Sequence, residues 1–228
     1  ANAGADWARP EALSELIEFE PARKEVEQYL KTRISSRASR KFSGKTLDKG
    51  LFDLNEPWGW KDPRNGPTLP IWLSIWPDMK IVHVLRHGVD VAASLHTRSN
   101  RNWSGDLSRF EKWRKLSQLG RNRSPIRVGQ RAATLENALN FGAEQVKVEE
   151  STIGNREGVL KIRFEDILTN PESSIENLLD FISAPKNPTL MQEMKESLDP
   201  SRAFSYKSDP KLLEFAENNS TILSQFGY

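Results

Sequence analysis

Lys80-Ile81-Val82-His83-Val84-Leu85-Arg86-His87-Gly88-Val89-Asp90-Val91-Ala92-Ala93-Ser94-Leu95 is the stretch on which the reading of this chain turns. The run from Lys80 to Leu85 is short, apolar and β-branched, the composition of a strand buried on both faces. Arg86-His87-Gly88 supplies a turn, and between Val89 and Thr97 the residues Val89, Ala92, Ala93 and Leu95 fall at helical spacing. Strand, turn and helix in that order form the building unit of a parallel α/β sheet. A second unit follows downstream: Gly158 to Phe164 reads as an apolar strand and, after the break at Asn170-Pro171, Glu172 to Ile182 reads as a helix.

Upstream the pattern is looser. Glu11 to Lys31 carries Leu13, Leu16, Ile17, Val26 and Leu30 among many charges, which predicts one or two amphipathic helices broken near Pro21. Ser35 to Lys49 is polar and basic and reads as a loop. Trp58-Gly59-Trp60-Lys61-Asp62 predicts a short buried strand ending at Pro63, and Leu69 to Trp76 resumes a helix-like apolar run. The expectation is one domain over residues 1–228, with residues 1–50 a variable region of helices and loops and residues 51–228 the core and later helices.

Composition narrows the classes. Hydrophobic residues make up 37% of the 228 and charged residues 28%, enough apolar content to exclude disorder throughout. No stretch approaches the about 20 apolar residues that cross a bilayer, and no basic start precedes an apolar run, so cytoplasm is the default location. Cysteine is absent, which excludes disulfides, thiolate nucleophiles and cysteine metal sites, and no metal is expected. The net charge of +2 hides a block from Arg98 to Arg131 in which ten Lys or Arg residues face only Asp106 and Glu111. Such a block suits a nucleic acid, an acidic lipid surface, an anionic small molecule, or plain solvent. Nucleic acid is the weakest of these readings, because only Trp103, Phe110 and Trp113 interleave the charges and no recognised module surrounds them.

In a parallel sheet ligands bind beyond the carboxyl ends of the strands, and Arg86 lies at such an end. The helix after it aims free backbone N–H groups toward the same place, and a guanidinium adds a fork for phosphate oxygens. Ser94, eight residues on, falls about two turns along and offers a hydroxyl. The competing reading pairs Arg86 with Asp90 at the surface and leaves Ser94 in solvent.

These residues resemble a family. KIVHVLRHGVDVAASL is similar to the 3′-phosphate-binding segment of sulfotransferases that use 3′-phosphoadenosine 5′-phosphosulfate (PAPS), with Arg86, Asp90-Val91 and Ser94 at the family spacing. WGWKDPRN resembles the family's strand ending in Lys-Asp-Pro, and VLKIRFEDILTNPESSIENLLDFI resembles its later strand, acidic turn and following helix. The similarity extends weakly through NPTLMQEMKESLDPSRAF to the Phe-Gly-Tyr at residues 226–228.

The resemblance implies a three-layer parallel sheet flanked by helices, of the P-loop NTPase-like kind, and transfer of a sulfonate from PAPS to a hydroxyl or amine of a small-molecule, lipid or carbohydrate acceptor. It implies that Arg86 and Ser94 hold the donor 3′-phosphate, that Lys61 lies at the transferring group, and that Phe164, Thr189 and Arg202 contact the nucleotide. Phe164 stands where relatives often carry tyrosine, and a core role for its ring is the alternative.

Two departures accompany it. Residues 1–50 hold no counterpart of the amino-terminal strand and phosphate loop, so truncation at the amino terminus is expected; the start at Ala1 rather than methionine fits that expectation. Ser43-Gly44-Lys45-Thr46 has the letters of such a loop but no apolar strand before it, and reads as an ordinary loop. Some branches place a catalytic histidine two residues after the lysine, where this chain has Pro63; His83, His87 and His96 all have ordinary structural readings. An inactive relative that only binds adenosine 3′,5′-bisphosphate is the second reading. Acceptor identity and oligomeric state are not legible.

Overall fold

The computed structural model describes residues 10–45, 47–62, 65–104 and 131–228. Two helices open it, α1 (Pro10–Glu18) and α2 (Glu20–Ser35), separated at Phe19 just before Pro21, as the proline predicts. The basic stretch after them is a 3₁₀ turn (Arg37–Ser39) and the four-residue α3 (Arg40–Ser43), closed by Gly44 in the left-handed region at φ 70°. An irregular segment leads to α4 (Asn65–Ile75). Then come β1 (Ile81–Leu85), α5 (Gly88–Ser104), α6 (Leu135–Ile153) and β2 (Val159–Arg163). The remaining helices are α7 (Phe164–Thr169), α8 (Pro171–Ile182), α9 (Pro188–Glu196), α10 (Pro210–Asn218) and α11 (Ser220–Leu223).

β1 and β2 pair in parallel, with Ile81 opposite Val159 and Leu85 opposite Arg163. They form a two-stranded sheet among the described residues, so the fold is α/β with a small parallel sheet and many helices. Helix α6 packs against α1, α4 and α5, and its start is fixed by Thr134, whose hydroxyl accepts the N–H of Asn137. One core lies between α5, α6 and the segments after residue 203, built on Val89, Leu139, Val146, Tyr206 and Phe226. A second joins α1, α2 and α4 through Ile17, Ile34, Ile71 and Ile75, with Trp72 and Trp76 packed on it. Full burial of one such side chain stabilises the fold by about 1.5–3 kcal/mol.

Two sequence expectations are corrected. No strand forms at Trp58–Asp62. The two tryptophans instead lie on the indoles of α4: Trp58 stands edge-on to Trp76 at 5.2 Å and Trp60 edge-on to Trp72 at 5.2 Å. The expected burial does not hold either: Trp58 is half-buried and Trp60 is exposed, and their contacts are indoles in and just after α4 and not a neighbouring strand. Nor is β1 covered on both faces. His83 turns inward, its Nε2 3.0 Å from Glu149 Oε2 on α6, while Val82 and Val84 are 37% and 48% exposed. Alternation puts these two valines on the face opposite His83.

Candidate functional site

The register of the sheet brings the residues after the two strands side by side. With Leu85 opposite Arg163, Arg86 follows on one strand and Phe164 on the other, and the guanidinium of Arg86 lies 4.9 Å from the Phe164 ring centre. One residue further, the N–H of His87 donates to Oε1 of Glu165 at 2.9 Å. Glu165 opens α7 and is only 1% exposed.

Asp90, in the first turn of α5, lies 3.4 Å from Arg86 Nη2. The pairing considered from the sequence therefore forms, but below the surface. Asp90 is buried, and its carboxylate accepts the Ser205 N–H at 3.1 Å, the Ser205 hydroxyl at 2.7 Å and the Tyr206 N–H at 2.8 Å. Arg86 Nη2 also donates to the Arg202 carbonyl at 3.2 Å, and lies 3.4 Å from Ser205 Oγ. Its Nε–H is buried without a partner among the described residues. The Arg202 guanidinium reaches the same Phe164 ring at 5.5 Å. Two cations thus share one aromatic ring at the carboxyl end of the sheet, a cation–π arrangement that orders them without neutralising either.

A layer of rings backs the turn. His87 stacks on Tyr206 with centroids 4.2 Å apart and planes 12° apart, and meets Tyr228 edge-on at 4.9 Å. Burial lowers the His87 pKa below its ordinary value, partly opposed by Asp90 and Glu165. The neutral ring suits the weak acceptor position of Nδ1, 3.4 Å from the Val89 nitrogen. Tyr228 donates its hydroxyl to Glu165 Oε2, and burial together with that bond pushes its pKa up. Arg163 clamps the segment, donating to the Gly227 carbonyl at 2.6 Å and stacking 4.9 Å from the Tyr228 ring. Beside Leu85 and Arg163 opens a cavity of about 730 Å³, walled by Asp166, Asn170 and Ser173.

Of the residues singled out from the sequence, Arg86, Phe164 and Arg202 form one cluster. Ser94 is exposed on α5, Lys61 is exposed in the irregular segment after Trp60, and Thr189 is exposed in the first turn of α9, its N–H bonded to Asn187 Oδ1 at 3.0 Å. No hydrogen bond or ion pair among the described residues joins these three to Arg86. The end of α3 carries Gly44-Lys45, with Lys45 paired to Glu56 at 2.6 Å. Thr46, Pro63 and residues 105–130, which hold most of the basic block, lie outside the described residues. Among the described residues there is no group of three or more His, Asp or Glu placed to hold a metal, and no helix long and apolar enough to cross a membrane.

Sequence reasoning missed Glu165, Ser205, Tyr206 and Tyr228. Glu165 had a signal, a carboxylate just past the expected strand; Ser205 and Tyr206 are recruited from more than 100 residues after Arg86 and carry no local signal, and Tyr228 was marked only by its place in the Phe-Gly-Tyr, which assigns it no role.

No curated protein and no solved structure matches the chain. A family model described as the sulfotransferase family matches residues 6–188, well over half of the sequence and inclusive of both strands, Arg86 and Glu165. The chain belongs to the sulfotransferase family.

Proposed function

We propose that this protein moves a sulfonate group from PAPS to a hydroxyl or amine of a small-molecule, lipid or carbohydrate acceptor, with Arg86 as the principal ligand of the donor 3′-phosphate. The observation that carries the reading is Arg86 itself. Its guanidinium is anchored at the carboxyl end of β1, has one buried N–H without a partner among the described residues, and shares the Phe164 ring with a second arginine. A phosphate oxygen supplies the acceptor that this N–H lacks, at charge-assisted strength.

PAPS, when bound, supplies the sulfonate: its S–O bond to phosphate breaks as the acceptor's bond to sulfur forms, the acceptor proton passes to base or solvent, and adenosine 3′,5′-bisphosphate leaves. Arg86 and Arg202 offer charge to the 3′-phosphate, and Ser94 offers a hydroxyl that bonds to nothing else among the described residues. Lys61 is the proposed charge at the leaving oxygen, where an ammonium favours the transition state over the ground state. Phe164 and Thr189 complete the nucleotide side. With two guanidinium groups already on Phe164, an adenine there stacks against an arginine plane or displaces one. The reading includes one domain with a three-layer sheet, in which a strand carrying the phosphate loop joins the free edge of β1.

Titration calorimetry with adenosine 3′,5′-bisphosphate and adenosine 5′-monophosphate tests it. The bisphosphate is expected to bind more tightly, and Arg86→Ala to remove about 1.5–3 kcal/mol of that binding. Equal affinity for the two nucleotides, or a folded Arg86→Ala protein with unchanged affinity, overturns the reading. A second reading, binding without transfer, draws on Gly44-Lys45 closing a helix instead of opening one; it predicts the same titration and no sulfonated product from PAPS with any acceptor.

A further inference from the structure

We infer that Glu165 and Tyr228 are positioning residues that set the orientation of Arg86, so that the nucleotide preference of the site is controlled in part from a segment beyond the residues that the family model matches. The inference rests on reading Arg86 as the 3′-phosphate ligand. The family match ends at residue 188, whereas Tyr228 lies forty residues later.

One buried carboxylate links Tyr228 to the turn that bears Arg86. Glu165 is almost fully buried and uses its two oxygens separately: Oε1 accepts the backbone N–H of His87, and Oε2 accepts the hydroxyl of Tyr228. His87 directly follows Arg86, so Oε1 fixes the peptide from which the arginine projects. Oε2 fixes Glu165 in turn. Tyr228 is itself held, by Arg163 through the Gly227 carbonyl and the ring face, and by His87 edge-on. The chain of restraint is Arg163 to Tyr228 to Glu165 to the turn bearing Arg86.

Removing the Tyr228 hydroxyl leaves a buried carboxylate oxygen without its donor, and such an oxygen draws in another partner. Arg86, at the neighbouring register position, is paired with Asp90 through Nη2 but keeps a buried Nε–H without a partner among the described residues, so it is a cation to which that oxygen turns. A carboxylate drawn toward that guanidinium competes with phosphate for it. The expected loss is therefore in discrimination between a nucleotide with a 3′-phosphate and one without, beyond any loss of stability.

The experiment measures, for the whole 228-residue chain, the ratio of dissociation constants of adenosine 5′-monophosphate and adenosine 3′,5′-bisphosphate, together with Tm. Four variants are compared with the native protein: Tyr228→Phe, Glu165→Gln, Arg163→Lys and Val146→Ala. Tyr228→Phe keeps the ring and is expected to lower the ratio about three- to tenfold, and Glu165→Gln at least as much. Arg163→Lys loosens the tyrosine without touching the carboxylate and gives a smaller fall, readable even if Tyr228→Phe folds poorly. Val146→Ala, in α6 within the same core, lowers Tm and leaves the ratio unchanged. Ratios unchanged in Tyr228→Phe and Arg163→Lys, with Tm alone reduced, overturn the inference while the nucleotide reading stands. A native ratio near one removes the nucleotide reading and the inference with it.

Discussion

His87 lies flat on Tyr206, with Phe204 and Tyr228 edge-on around it, and its backbone and ring nitrogens both serve the turn that carries Arg86. Burial is the largest influence on this imidazole and lowers its pKa, with the nearby Asp90 and Glu165 pulling the other way. The consequence for stability has a definite sign. Below about pH 6.5 the unfolded chain protonates this histidine while the folded chain resists, so the unfolded state binds more protons and stability falls as pH drops. The window opens at about 6.5 and closes at the lower folded value, with a slope of at most about 1.4 kcal/mol per pH unit from this one group. Urea unfolding on either side of about pH 6.5, with NMR titration of the His87 ring, measures it. A ring that titrates at its ordinary value in the folded protein sinks this account. The same packing limits the motion of Arg86, which lowers the side-chain entropy cost of the phosphate binding proposed for it.

Gly88 begins α5 at the point where the β1 turn meets the segment ending in Phe226. A Cβ placed on it would lie 2.8 Å from Leu223 Cδ2 and 2.9 Å from two ring atoms of Phe226, a residue itself 2% exposed. Gly88→Ala is therefore expected to destabilise the protein by about 1–3 kcal/mol, the cost of overpacking a filled core, read as a lower midpoint in denaturant at unchanged slope. A neutral substitution would mean that Leu223 and Phe226 do not pack against the start of α5. The strand, turn and helix from Lys80 to Thr97 were legible because their signal is local: an apolar run of strand length followed by helical spacing. Trp58-Gly59-Trp60 was misread because tryptophans can stack on other indoles while staying partly exposed, as Trp60 does, and such stacking needs no strand. The position of Arg86 at the end of β1 was legible for the same local reason. Its anchors were not, since Asp90 is held by Ser205 and Tyr206, and Glu165 meets His87 only through the register of the sheet. The exposure of Val82 and Val84 was equally hidden, because alternation in a run of valines and leucines does not say which face lacks a cover.

At the scale of the molecule, the face and edge of β1 that stay open among the described residues bear on how the protein behaves in solution. The sheet has two strands among the described residues, and Val82 and Val84 present a row of β-branched apolar side chains beside β1 backbone groups that pair on one side with β2. An uncovered strand edge with an apolar face is a template for pairing with another chain. Residues 1–228 expressed alone are therefore expected to self-associate with rising concentration, and sedimentation velocity reads this directly. Val82→Thr with Val84→Thr keeps β-branching at both positions while making the face polar, so it is expected to reduce association without lowering secondary-structure content by circular dichroism. On the proposed three-layer reading, adding an upstream segment with an apolar strand, a phosphate loop and the following helix pairs that edge, covers that face and suppresses association of the otherwise native sequence. With the helix layer on that face, the double threonine substitution is expected to be destabilising, because the valines are then buried. On the proposed reading, transfer of sulfonate from PAPS is expected to follow the same switch, since the added loop brings the N–H donors for the 5′-phosphosulfate. A monomeric 228-residue chain at every concentration, with turnover of its own, would place the phosphate-binding donors within these residues and leave the Val82–Val84 face a true solvent surface.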